Sequence, residues 1–137
     1  MSEPVQLTFC LMDAPFERAR TVLGLRLVAA AIRAGHDVTV FAYEGAVALA
    51  FALQEPHANS VHGRSVEQEE HPLPKAWIAA LLDEARRRGT KLDWINCGLC
   101  VDERGVKESI AGCRRGSPLD FLTAANRSVN TLVLATH

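Results

Sequence analysis

Short apolar runs alternate with amphipathic segments along the first half of the chain. Val5 to Leu11 is apolar and β-branched, and the stretch DVTVFAY, 37–43, has the same character. Such runs are typical of strands that are covered on both faces. Between them, apolar residues recur at helical spacing over 16–34, after the start signals Asp13 and Pro15. A strand, a helix and a strand in this order predict a right-handed βαβ unit and therefore a parallel sheet.

The second half of the chain continues the alternation with shorter segments. The alanine-rich segment 44–53 predicts a short helix, and 54–74, which is polar and contains three prolines, predicts a long exposed loop. Ser117 and Pro118 are a helix start signal. Helices are predicted over 75–88, 104–110 and 119–127, and strands over 91–96 and 131–135. These elements predict a single three-layer α/β domain over residues 1–137, with a mostly parallel sheet and helices on both faces.

Composition and charge exclude several classes of protein. A chain of 137 residues with 48% hydrophobic and 23% charged residues has the composition of one folded domain. Its net charge of -1 gives no field that would attract nucleic acid, and the arginines 86–88 fit a solvated helix end. The N-terminus lacks the pattern of a secretion signal, and no apolar run approaches the ~18 residues of a membrane span. We therefore expect a cytoplasmic protein that binds neither nucleic acid nor membranes.

Cys97 and Cys100 form a C-x-x-C pair and are the strongest candidates for chemistry. The pair follows the predicted strand 91–96, and reactive groups of parallel sheets gather at the carboxyl ends of the strands. A helix that begins near Cys100 or Val101 would favour the Cys97 thiolate through its dipole, and Arg104 would add positive charge, although Asp102 and Glu103 would act in the opposite direction. Gly98 has no Cβ, so a partner molecule could approach the backbone closely.

Metal and redox chemistry are the other interpretations of this pair. C-x-x-C is half of a tetrahedral zinc site, and His57, His62 and His71 of the long loop could complete it. A thioredoxin-type switch would use the same two thiols, although the tryptophan-flanked Cys-Gly-Pro-Cys is absent. Cys10 lies inside an apolar strand and is expected to be a buried small hydrophobe, whereas Cys113 lies in a glycine-flanked turn, GCRRG, and has no assignable role.

Several stretches of the chain carry a family resemblance. They are ERARTVLGLRLVAAAIRAGHDVTVFAYEGAVALA, ERGV and SPLDFLTAANRSVNTLVL, together with a cysteine eight residues before the glycine of an Arg-Gly pair. Cys97 and Gly105 have this spacing, with Arg104 before the glycine. The chain thus resembles the DsrE/DsrF-like sulfurtransferase family, which includes TusD-like and YchN-like proteins. The resemblance covers nearly the whole chain and implies the DsrE/YchN-like fold.

The resemblance also implies a function. Cys97 matches the position that carries sulfur as a persulfide, and Cys100 stands where TusD-like members commonly have alanine, so it is expected to resolve the persulfide or to accept sulfur itself. The implied partners are a TusA-like or rhodanese-like sulfur carrier or donor, and no cofactor or metal is implied. Transfer needs an exposed thiolate that the tail of a partner can reach. The alternatives are a non-catalytic assembly subunit, and a zinc or thiol-redox protein that uses the same cysteines.

Self-association is expected on two grounds. The segment 16–34 is apolar on more than one side, and 44–53 is apolar nearly all round, which is more apolar surface than a small domain covers easily. The resemblance implies a trimer or a hexamer.

Overall fold

The computed structural model describes residues 4–58, 62–68 and 73–136. Five strands form one parallel sheet in the order β4-β3-β2-β1-β5. The strands are β1 (Gln6–Leu11), β2 (Asp37–Ala42), β3 (Leu92–Cys97), β4 (Cys113–Gly116) and β5 (Asn130–Leu134). The helices are α1 (Ala19–Arg33), α2 (Pro74–Arg87), α3 (Gly98–Arg104) and α4 (Pro118–Arg127), with a 3₁₀ turn over Glu44–Ala48. The predicted α/β class with a parallel sheet is confirmed.

Helices cover both faces of the sheet. On one face, α1 packs so closely on β1 that a Cβ at Gly24 would lie 2.7 Å from Leu11 Cδ2. Alternation of side chains along a strand places Phe41 on the opposite face, where its ring stacks on Phe121 of α4 with centroids 5.4 Å apart. The helix α4 lies on this second face because it connects β4 at one edge of the sheet with β5 at the other.

The three central strands hold the core. Val40, Trp94 and Ile95 are at most 1% exposed, because helices cover the sheet on both sides. This burial explains why β1 and β2 are predominantly apolar runs in the sequence. No helix within the described part of the chain is long and apolar enough to cross a membrane.

The long first helix begins later than its pattern predicts. Phe16 has a φ of 67°, and a residue in this left-handed conformation cannot continue a right-handed helix. Arg18 is extended and precedes the first turn, so α1 starts at Ala19 rather than at residue 16. The apolar spacing over 16–19 therefore belongs to a loop.

The prediction of a helix over 104–110 is wrong. Gly105 adopts a φ of 67° and ends α3 with a left-handed cap. The chain then runs beside the segment that follows β2, where the Ala52 N–H donates to Glu108 O at 2.7 Å and the Ile110 N–H to Ala50 O at 2.9 Å. The segment 44–53 is therefore covered within the chain except at Leu53, and only its first part forms a 3₁₀ turn.

The stretch GCRRG, which was predicted to be a turn, contains the edge strand β4. It is only four residues long and presents two arginines, and short charged strands are typical of sheet edges.

Candidate functional site

Cys97 and Cys100 lie at the junction between β3 and α3. Cys97 is the last residue of the strand and the N-cap of the helix, with extended backbone angles, while Cys100 is the third residue of the helix. The helix begins at Gly98, before the predicted start. Because both cysteines flank the first helical turn, their side chains meet at the carboxyl end of the sheet.

The two thiols are buried side chains. Cys97 is 3% exposed and Cys100 5% exposed. The Glu44 N–H donates to Cys100 Sγ at 3.1 Å. Both cysteines are free thiols. The expectation of an exposed thiol is therefore wrong for this chain, because both side chains are almost completely covered.

Cys100 holds its proton at neutral pH. Burial raises its pKa, its interaction with Cys97 raises it further, and the Glu44 N–H and the Arg104 charge oppose these effects. With a pKa above the ordinary value of 9.0, Cys100 is a thiol rather than a thiolate at neutral pH. It must therefore lose a proton before it can act as a nucleophile.

A cavity of about 320 Å³ opens onto the two sulfurs. Its walls come from the carboxyl ends of three neighbouring strands, β2, β3 and β4, and from the residues that follow them. The lining residues are Tyr43, Glu44, Cys97, Leu99, Cys100, Glu103, Arg104, Gly116, Ser117 and Pro118. This volume is at the small end of the range of ligand sites, roughly 300–1,000 Å³, so it admits a narrow group rather than a folded surface.

Arg115 ties the cysteine helix to the edge of the sheet. Its guanidinium makes two hydrogen bonds to the Asp102 carboxylate, at 3.1 and 3.0 Å, and donates to Gly98 O at 3.2 Å. A Cβ at Gly98 would lie 3.0 Å from this guanidinium. The open backbone at Gly98 is therefore occupied by the protein's own arginine rather than left for a partner. Arg104, predicted to supply positive charge, lies 3.6 Å from Glu103 and lines the cavity.

The other two cysteines lie outside this cavity. Burial raises the pKa of Cys10 to about 11 and that of Cys113 to about 12, so neither ionises at neutral pH. Cys10 is buried in β1, as predicted. Cys113 pairs with Trp94 at the start of β4.

The structure describes two of the three histidines that were considered as zinc ligands. The His57 ring packs edge-on against Phe16, with centroids 5.5 Å apart, and His62 is exposed. His71 lies outside the described residues. Within 4–58, 62–68 and 73–136, no three or more His, Cys, Asp or Glu side chains are grouped to hold a metal ion.

Sequence reasoning missed the parts of the site that come from other segments. Tyr43, Glu44 and the residues 116–118 reach the cysteines only through the sheet order, which places β2 and β4 on either side of β3. Ser117 and Pro118 predict a helix start, but nothing in the sequence indicates that this helix start lies beside the two thiols.

Comparison with known proteins decides the family. The model of the DsrE/DsrF-like family matches residues 6–134, which is nearly the whole chain. The chain belongs to the DsrE/DsrF-like family. Comparison with curated protein sequences finds no match. Among solved structures, this DsrE-like chain is similar to the YchN protein from E. coli, with a TM-score of 0.72 and 17% identity over 95% of this chain and 99% of that one. At this identity the likeness to YchN concerns the fold, and it agrees with the predicted resemblance.

Proposed function

We propose that this DsrE-like protein accepts sulfane sulfur on Cys97 as a persulfide and passes it to a small TusA-like or rhodanese-like carrier. The observation that carries the proposal is a pair of free thiols, Cys97 and Cys100, that line one cavity at the carboxyl edge of the sheet. Family membership supports the same chemistry, since Cys97 and Gly105 have the spacing that is the most specific element of the family resemblance.

Sulfur uptake is a thiol exchange at the outer sulfur of a donor persulfide. The Cys97 thiolate attacks that sulfur, a new S–S bond forms at Cys97 Sγ, and the S–S bond of the donor breaks. The donor leaves as a thiolate with the bonding electron pair, and the outer sulfur keeps its proton on Cys97. Delivery to the carrier is the same exchange in reverse, with a thiolate of the carrier as the attacking group.

Cys100 sets the lifetime of the persulfide. After losing its proton, its sulfur attacks Cys97 Sγ, forms a Cys97–Cys100 disulfide and expels the outer sulfur as hydrosulfide. An external dithiol then reduces the disulfide. Because burial and the interaction with Cys97 raise the pKa of Cys100, this release is slow at neutral pH and accelerates as the pH rises.

The burial of Cys97 restricts its donors. Only a small persulfide or an extended peptide end fits a cavity of about 320 Å³. Because the cavity is narrow, a carrier would present its thiol on a flexible tail. The acidic side chains of Glu44 and Glu103 and the basic side chain of Arg104 line the cavity that this tail would enter.

Mass spectrometry after incubation with glutathione persulfide tests the proposal. We expect an added mass of about 32 Da, one sulfur atom, on the peptide that contains Cys97. Cys97→Ser should abolish it, while Cys113→Ser, which removes a thiol outside the cavity, should leave it unchanged. Cys100→Ser should still accept sulfur, and its persulfide should last longer, increasingly so at alkaline pH.

The same experiment distinguishes a sulfur carrier from the competing class, a non-catalytic assembly subunit. A non-catalytic assembly subunit would show no adduct on any cysteine and would still form a stable complex with its partner. An adduct on Cys113 with an unmodified Cys97 would overturn the assignment of the sulfur to Cys97.

We also propose that the protein self-associates, as a trimer or a hexamer. Most of the segment 44–53 does not support this, because Ala46, Val47, Leu49 and Ala50 are buried within the chain and only its last residue, Leu53, is largely exposed. Apolar side chains on α1, α4 and β5 are still about half exposed or more, and contact between copies of the chain would cover some of them. They are Val22, Leu23, Leu119, Leu122 and Val133. Light scattering should give three or six times the chain mass of 14.9 kDa, and the mass of a single chain would exclude self-association.

A further inference from the structure

Tyr43 stands beside Cys97 at the carboxyl edge of the sheet. Ala42 of β2 is in register with Asn96 of β3, so the next residue of each chain segment, Tyr43 and Cys97, also lie side by side. Both side chains point to the face that α4 covers, since Phe41, two residues before Tyr43, stacks on that helix. Tyr43 lines the cavity together with both thiols.

The Tyr43 ring is held from two directions. It stacks on Phe41 at 6.0 Å and 27°, and Phe41 stacks in turn on Phe121 at 5.4 Å. The backbone directly after Tyr43 is also fixed, because the Glu44 N–H donates a hydrogen bond to Cys100 Sγ. Tyr43 is therefore set in place before any sulfur arrives, and a group that is positioned in advance costs little reorganisation during reaction.

The electrostatics agree with this geometry. The pKa of Tyr43 is raised, first by the sulfur charge of Cys100 and then by that of Cys97. A raised pKa keeps the phenol protonated over the physiological range, so its O–H remains a hydrogen-bond donor. A phenol O–H beside a sulfur anion can therefore stabilise negative charge on that sulfur.

We propose that the Tyr43 hydroxyl donates a hydrogen bond to the reacting sulfur, first to the Cys97 thiolate and then to the outer sulfur of its persulfide once that sulfur has lost its proton to water. The proposal rests on the proposed function and makes Tyr43 a further catalytic residue. Tyr43 keeps its proton throughout: the S–S bond forms at Cys97, the S–S bond of the donor breaks, and the donor thiolate takes the electron pair. The hydrogen bond stabilises the sulfur anion before and after this exchange.

The placement of the phenol can be tested without sulfur transfer. Tyr43 is the only tyrosine of the chain, so the tyrosinate absorbance at about 295 nm reports this residue alone. We expect its pKa to lie above the ordinary 10.0 in the reduced protein and to fall back toward it in Cys97→Ser/Cys100→Ser, with circular dichroism verifying the fold at each pH. Identical titrations of the two proteins would overturn the placement.

The role in transfer is tested with Tyr43→Phe, which removes only the hydroxyl and keeps the stacked ring. With glutathione persulfide as donor, we expect the variant to accept sulfur at Cys97 about 10-fold more slowly at pH 7. The pH midpoint of its uptake should rise by about one unit. Cys113→Ser should match the wild type in both measurements.

The possible failures are distinguishable. If Tyr43→Phe accepts sulfur at the wild-type rate and with the wild-type pH midpoint, the role of Tyr43 is overturned and the proposed function stands. If the wild type itself accepts no sulfur, the proposed function and the role of Tyr43 in transfer both fall.

Discussion

Asn96 should be the most costly polar residue to remove near the site. It is fully buried in β3, directly before Cys97, and it accepts a hydrogen bond from Trp94 Nε1 at 3.1 Å. Its Nδ2 donates to Ser109 Oγ at 2.8 Å, which connects the strand to the segment after α3. Asn96→Ala would leave the buried indole N–H of Trp94 without a partner and would open a small cavity in the core.

The magnitude follows from these contacts. An unpaired buried donor costs about 1–3 kcal/mol, and the lost packing adds to it, so Asn96→Ala should destabilise the protein by roughly 2–4 kcal/mol. For a chain of this size, this corresponds to a fall in Tm of roughly 6–20 °C. Ser109→Ala should cost about 1–2 kcal/mol, since Ser109 is only half-buried and water can replace part of the contact.

Urea denaturation followed by tryptophan fluorescence provides the assay, with the two single variants and the double variant. Once Asn96 is alanine, removing the Ser109 hydroxyl should cost little, so the double variant should be more stable than additivity requires by about 0.5–2 kcal/mol. The reasoning is refuted if the two effects simply add, or if Asn96→Ala costs less than about 1 kcal/mol.

Two further predictions concern charged side chains. Arg115→Gln should increase the alkylation rate of the cavity thiols severalfold with little change in Tm, because α3 loses its hydrogen bonds to β4. Arg114→Gln breaks a similar ion pair on the same strand and should leave the alkylation rate unchanged. Equal reactivity of the two variants would contradict this. The hydrogen bond from Arg33 lowers the pKa of Glu84, so the ionised carboxylate contributes to stability above pH 4.5, and this contribution is lost as the pH falls through the folded-state pKa. In Glu84→Gln, the denaturation midpoint should therefore decrease less between pH 7 and pH 3 than in the wild type.

The strongest predictions from the sequence concerned buried, regular elements. The apolar runs of β1 and β2 and the helical spacing between them specify local structure directly, because both faces of these strands are covered. The position of Cys97 at the end of a strand followed from the same pattern.

The errors arose where local signals are weak or where backbone conformation overrides them. The strand β4 has four residues and charged side chains, so only its pairing with β3 defines it. Neither the left-handed Phe16 nor the early end of α3 at Gly105 can be read from apolar spacing. The cavity was missed for a related reason: its walls meet through the sheet order, and no stretch of sequence contains them together.

If sulfur is carried on Cys97 as proposed, the protonation of Cys100 bears on which way it leaves. A Cys97 persulfide would have two competing thiols, Cys100 inside the cavity and the thiol of a carrier outside. Because burial raises the pKa of Cys100, its attack would be disfavoured at neutral pH although it is the nearer group. A carrier thiol that is already ionised has no such barrier, and only a narrow tail reaches the sulfur. Under the proposed function, the same burial that hides Cys97 from solvent therefore favours delivery of sulfur to a partner over its loss as hydrosulfide.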